Sequence, residues 1–186
     1  MSKKFVLSFF CMLILGSVGA RAQKFSIQTN LVDWALMATF NAEASVSFTR
    51  HFSLVAGAKF NPWEFSRDNK PAVTLKQTTA YVGFRYWPWY VNSGFWVGSK
   101  LQFQEFHMSG LFGRTIDATG GHGIGLSAGY SIMLNESLNL DLGVGGWGGR
   151  FQSWTDSASP NESEPRAGSK LFFYPDAISV SFVYVF

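Results

Sequence analysis

The sequence ends Ile178-Ser179-Val180-Ser181-Phe182-Val183-Tyr184-Val185-Phe186. Every second side chain from Ile178 to Phe186 is large and apolar, with Ser179 and Ser181 falling between. Period-two alternation places the five apolar groups on one face of a strand and the serines on the other. Such a strand, finishing on an aromatic, reads as the closing strand of an outer-membrane β-barrel. The barrel-assembly machinery is then the expected partner of the segment ending at Phe186.

The opening residues point to export. Lys3 and Lys4 precede an apolar run from Phe5 to Val18, and Ala20-Arg21-Ala22 sets small residues where a signal peptidase reads. The expected organisation is a cleaved signal peptide over residues 1–22 and one barrel domain over residues 23–186. A retained transmembrane helix would need roughly 20 apolar residues, more than this run supplies. Cys11 lies in mid-run without the small residues that precede a lipidated cysteine, so no lipoprotein is expected. No other cysteine exists, which excludes disulfide and thiolate chemistry from the exported part. Of the 15 Lys and Arg residues, Lys3, Lys4 and Arg21 leave with the leader, and 12 bases then face 12 acids. A basic nucleic-acid surface is not indicated.

Alternation recurs along the rest of the chain. Phe25 to Leu31, Ala42 to Thr49, Leu54 to Asn61 and Ala80 to Tyr86 each carry it, as do Phe95 to Gln104, Gly123 to Ile132 and Leu138 to Gly145. With the terminal segment these make an all-β chain: an eight-stranded antiparallel up-and-down transmembrane β-barrel, at about 20 residues per strand and connection. Short links at Arg50-His51, Trp87 to Ser93 and Asn135-Glu136-Ser137 alternate with longer ones at 61–73, 107–121 and 152–170. Tight periplasmic turns and longer outer loops produce that rhythm and put both ends of the barrel domain in the periplasm. Trp63, Phe65, Tyr86, Trp87, Trp89, Tyr90, Trp154, Phe172, Phe173 and Tyr174 fall near strand ends, where interfacial aromatic girdles form. A carbohydrate-stacking platform is the functional alternative for the outer aromatics.

Five charges alternate with apolar residues and should face the lumen: Glu43, Lys59, Arg85, Lys100 and Asp141. An eight-stranded barrel is just wide enough for its side chains to fill it. Buried charges must pair, so these five are expected to form a polar network that plugs the interior. A gated pore or narrow channel is the sharper alternative.

Little else carries chemistry. His51, His107 and His122 are scattered without metal-site spacing, and no metal or other cofactor is expected. Gly120-Gly121-His122-Gly123-Ile124-Gly125 resembles a nucleotide fingerprint but lacks the strand-then-helix context that would make it one. With Gly143, Gly145, Gly146, Gly148 and Gly149, these glycines read as aids to curvature or a thinner lumen wall. Glu105, His107 and Ser109 could supply acid, base and nucleophile to a lipid-modifying barrel enzyme, though no motif fixes their geometry. The expected role is non-enzymatic, structural or interactive, with outer-membrane lipid around the barrel.

Gln28-Thr29-Asn30-Leu31, Phe60-Asn61-Pro62-Trp63-Glu64-Phe65, Gly83-Phe84-Arg85-Tyr86-Trp87 and the ending Ala177 to Phe186 resemble a domain-of-unknown-function family of small Bacteroidetes outer-membrane barrels. The resemblance runs from Lys24 to Phe186. It implies location and fold, and for some members a connection to surface fimbriae, making a surface or fimbrial protein a candidate partner. Cysteine-containing insertions before the last strand occur in that family, and the segment from Thr155 to Lys170 has none. In that compartment Asp156-Ser157-Ala158 is similar to an O-glycosylation acceptor, with Ser157 as the modified residue. Asn161-Glu162-Ser163 fits the N-linked sequon, which requires a different secretory machinery.

Overall fold

Phe182 of the terminal strand lies between Thr29 on one side and Leu140 on the other, so the last strand closes the sheet onto the first. The computed structural model describes residues 25–35, 38–67, 70–111, 114–157 and 166–186. The expected leader, with Cys11, and the Asn161 sequon lie outside the described residues. In chain order the elements are β1 (Phe25–Asn30), the short helix α1 (Leu31–Ala35), β2 (Phe40–Ser47), β3 (Phe52–Asn61), β4 (Glu64–Arg67) and β5 (Lys70–Tyr86). Four long strands follow: β6 (Gly94–Leu111), β7 (Arg114–Met133), β8 (Leu138–Ser157) and β9 (Arg166–Val185).

Strands β3 and β4 share one position in the wall. Asn61 faces Gln77 and Glu64 faces Thr74 on the same neighbour, β5. Pro62, which has no N–H to give the ladder, separates the two. The nine strands therefore build eight staves, each antiparallel to its neighbours, in a closed up-and-down barrel. This is the architecture the alternation predicts.

The two faces of the wall differ as the period-two pattern requires. Ile124, Leu126, Val144, Ile178 and Phe182 point outward and are exposed, while Ser26, Ser45, Ser131, Asn139 and Ser181 are buried inside. At the outer end of this apolar belt Trp34 meets Phe40 edge to face and Phe40 packs at a tilt on Trp63, with centroids 5.1 and 6.1 Å apart. Their indoles are anchored, Trp34 Nε1 donating to Thr29 Oγ1 at 2.8 Å and Trp63 Nε1 to the Ala38 carbonyl at 3.1 Å. Trp89 and Tyr90 stand exposed at the other end. Amphipathic rings of this kind suit the two membrane interfaces.

Two expectations need correction. The segments 61–73, 107–121 and 152–170 are for the most part strand rather than loop, because β5 to β9 continue their ladders well past the apolar belt. Paired backbone satisfies itself there without any alternating apolar pattern that a sequence reading could detect. Trp87, Trp154 and Phe172 are also not girdle residues: all three are buried inside the barrel.

Bulges explain the last two. An extra residue at Asp176 separates the pairs Ala177–Gly145 and Pro175–Gly146. Another lies in β8 between Phe151 and Trp154, and a third in β7 at Thr119–Gly120, where Gly120 has φ of 63°. One inserted residue reverses which face every later side chain occupies. Without the bulge in β9, Phe172 and Tyr174 would follow the even-numbered parity of Ile178 and Phe182 and face outward. With it they turn inward, and Phe173 turns out to cover Gly146 and Gly148. Phe172 then joins Trp147, Phe151, Trp154 and Ala118 in a core inside the outer half of the barrel.

Replacing Phe172 by Ala should therefore cost about 3–5 kcal/mol of unfolding free energy, as for a buried aromatic. Phe173→Ala should cost about 1 kcal/mol or less. Urea unfolding in lipid vesicles checks this, and equal losses would contradict the inverted facing.

Candidate functional site

The short-turn end of the lumen is shut by the β5–β6 connection. Trp87 is 1% exposed and its Nε1 donates to Ser53 Oγ at 3.1 Å. Its N–H donates to the His51 carbonyl at 2.8 Å, and its own carbonyl lies 3.0 Å from His51 Nδ1. Asn92, at φ 61°, offers its carbonyl to Asn139 Nδ2 at 2.6 Å and to Ser131 Oγ at 3.3 Å. Asn tolerates this left-handed backbone better than most residues, and the tight return it allows tucks the connection into the barrel.

Above that floor Trp96 lies across the lumen, with its ring 6.2 Å from Trp87. A Cβ on Gly143 would come within 3.1 Å of the Trp96 ring, and one on Gly129 would also collide with it. Glycine at these two wall positions makes room for the indole.

Arg85 lies over the Trp96 ring, its guanidinium 4.4 Å from the ring centre. It bonds Glu43 at 2.7 Å, approaches Asp141 at 3.7 Å and donates to Gln28 Oε1 at 3.3 Å. Tyr81 O–H donates to the second oxygen of Glu43 at 2.7 Å, and Lys100 Nζ lies 4.7 Å above the Tyr81 ring. Of the five charges read from the sequence, Glu43, Arg85 and Asp141 meet directly and Lys100 joins through Tyr81. Lys59 stands apart, bonded at 2.8 Å to Asp33 of α1. Three cations thus face three carboxylates, and the buried set is neutral. Space beside it amounts to about 80 Å³, enough for a few waters but not for a solute.

The sequence reading missed Gln28, Tyr81, Trp96 and Asp33. Gln28 and Tyr81 do occupy inward positions in the alternation, where a neutral polar side chain carries no signal that sets it apart from its neighbours. Asp33 carried no such signal, because it sits in a helical turn where strand parity does not apply.

The three candidates for lipid chemistry are kept apart. Glu105, His107 and Ser109 point outward along β6, and each meets a different partner on β7. Glu105 accepts from the Gly120 N–H at 3.3 Å, His107 lies 3.8 Å from Asp117, and Ser109 bonds Thr115 at 3.0 Å. No hydrogen bond among the described residues links Ser109 to His107, so acid, base and nucleophile form no relay. Among the described residues no three His, Cys, Asp or Glu side chains cluster as metal ligands. Ser157 ends β8, its backbone opposite Thr115, and Ala158 of its triplet lies outside the described residues. Outside the belt, the hydrogen bond from Lys76 at 2.8 Å holds the Glu64 carboxyl below its ordinary pKa.

A family described as a protein of unknown function, DUF3575, has a model that matches residues 8–186. The chain belongs to that family. The fold of this DUF3575 barrel is similar to that of the outer membrane protein OprG from Pseudomonas aeruginosa, with a TM-score of 0.56 and 15% sequence identity. That similarity covers 90% of this chain and 98% of OprG, so the two share a fold over nearly their whole lengths. No curated protein matches the DUF3575 chain.

Removing Arg85 would leave Glu43 and Asp141 buried without their shared cation. Arg85→Met should therefore destabilise the barrel by about 3–5 kcal/mol. Adding Glu43→Gln to that variant should restore part of the loss. Lys59→Met, whose partner is on α1, should cost less. Denaturant midpoints of the folded barrel in detergent decide the order.

Proposed function

We propose that this DUF3575 protein resides in a bacterial outer membrane, exported through a cleaved signal peptide, as a non-enzymatic barrel with a structural or surface-interaction role. The observation that carries the reading is the charge-matched lumen network built on Arg85, Glu43 and Asp141 with Lys100, Lys59 and Asp33, stacked on Trp96 and floored by Trp87. A lumen filled in this way serves as a rigid core and offers no through-path, which leaves the outer rim as the working surface. The apolar belt, with anchored aromatics at its outer edge, supports residence in a bilayer. Strands β5 to β9 rise beyond that belt on the side opposite Phe25 and Phe186, and form the surface an outside partner would meet. A Bacteroidetes envelope, with a fimbrial or other surface protein as that partner, is the setting this reading favours.

In planar bilayers the purified protein should give no conductance steps. Crosslinking in native cells, read by mass spectrometry, should recover a reproducible surface-protein partner. Stepwise conductance would overturn the closed lumen. A change in lipid A acyl chains upon deletion would overturn the non-enzymatic role.

A further inference from the structure

Above the Arg85 cluster the lumen widens into a cup of about 510 Å³, within the size range of small-molecule sites. Its two sides differ chemically. On the β6–β9 side Phe106 and Tyr174 keep part of their surfaces open to the cup and are braced from behind. Phe106 meets Phe151 and Trp154 edge-on at 5.6 and 5.8 Å, and Tyr174 stacks on Phe172 at 5.2 Å. The rest of the lining, from β3 across β5 and onto β6 below Phe106, is amides and hydroxyls already held in place. Gln77 Nε2 donates to Thr79 Oγ1 at 3.0 Å, Gln102 Nε2 to Gln104 Oε1 at 3.2 Å, and Asn61 Nδ2 to Thr39 Oγ1 at 3.0 Å.

Charge narrows the occupant. The charged residues at the edge of the cup are matched, Asp33 with Lys59 at 2.8 Å and Lys76 with Glu64 at 2.8 Å, while the His107 side chain turns outward to within 3.8 Å of Asp117. An anionic or cationic ligand finds no counter-charge. A purely apolar ligand would strip water from the glutamine wall without replacing its hydrogen bonds, which is costly. A sugar ring fits both sides, with a C–H face for the aromatics and a rim of hydroxyls for amides that both donate and accept.

We propose that the cup binds a neutral oligosaccharide end, stacked against Phe106 and Tyr174 and hydrogen-bonded along Gln77, Gln102 and Gln104. The proposal deepens the surface-interaction reading and rests on it only for the side from which the sugar arrives. Folded protein in a detergent without a sugar headgroup is titrated with cellotriose, mannotriose, laminaritriose and chitotriose, followed by tryptophan fluorescence and calorimetry. At least one trisaccharide should saturate. Phe106→Ala and Gln104→Met should each weaken it about tenfold or more, the loss of one stacking surface or one hydrogen bond. Glu136→Gln, in the turn at the other end of the barrel, should leave it unchanged, and trigalacturonate should not bind. Each variant is checked for the heat-modifiable mobility of a folded barrel before titration. Failure of all four sugars to saturate, binding of laurate in their place, or full affinity in both folded variants would overturn the proposal. Labelling of Gln152→Cys on intact cells tests the outward direction separately. Its failure would sink the orientation and leave the binding result standing.

Discussion

Inside a hydrocarbon layer a backbone N–H or C=O has no water to turn to, and a sheet that spans it must return to its own first strand. Much of the geometry here follows from meeting that demand with a chain of modest length. Where β1 stops at Asn30, side chains take over from the ladder. Asn30 Oδ1 accepts the Val180 N–H at 3.1 Å, while Asn41 receives the Asn30 N–H at 2.6 Å and donates to the Asn30 carbonyl at 3.0 Å. Two asparagines thus carry the hydrogen bonding past the end of the shortest strand of the closing pair. α1 then begins at the point where backbone pairing has run out.

Closure at eight staves fixes what the inside can be. So narrow a lumen must be filled by its own side chains, and the outward apolar belt leaves the polar residues for the interior. The chain resolves this by matching cations to carboxylates around Arg85 and by laying Trp96 over glycines. Higher up the solution changes. Bulges in β8 and β9 turn aromatic residues inward and the one in β7 brings Ala118 and Ile116 in beside them, so the outer half has a small apolar core of its own and the wall encloses an open space beside it. Two interiors with different chemistry are stacked in one barrel.

Strand alternation made the eight staves legible because each lipid-facing position demands an apolar side chain and each lumen position tolerates a polar one. The same rule placed Glu43, Arg85 and Asp141 on the inner face, where the structure brings them together. It failed where its premise failed. Beyond the belt both faces meet water or the aromatic core, so the outer halves of β6 to β9 carry no period-two signal. The bulge at Asp176 adds a residue without any composition that announces it, and Gly120, which takes a φ of 63° at the other, is one glycine among many in β7 and β8. Trp87 was invisible for another reason: a tryptophan beside a turn fits an interface as well as a floor, and only the ladder around Ser53 and His51 distinguishes them. Lys59 shares a face with the others but lies too far along β3, and it is claimed by a helix that strand parity could not anticipate.

Among the described residues the ladder between β1 and β9 runs from Ser26 to Asn30, whereas β8 accompanies β9 from Leu138 to Asp156. It also unites residues about as distant in sequence as the barrel contains. Long loops must close before such a contact returns any stabilisation, so this seam forms late, and together with the equally short β1–β2 pairing it leaves β1 the most thinly held stave among the described residues. Assembly and thermal opening then share one location. The Phe25–Phe186 ring contact, with centroids 5.4 Å apart, and the Phe186 N–H to Phe25 carbonyl bond at 2.9 Å act as its clasp. The barrel behaves mechanically as a curved sheet with a latch, and its lifetime is set at the latch.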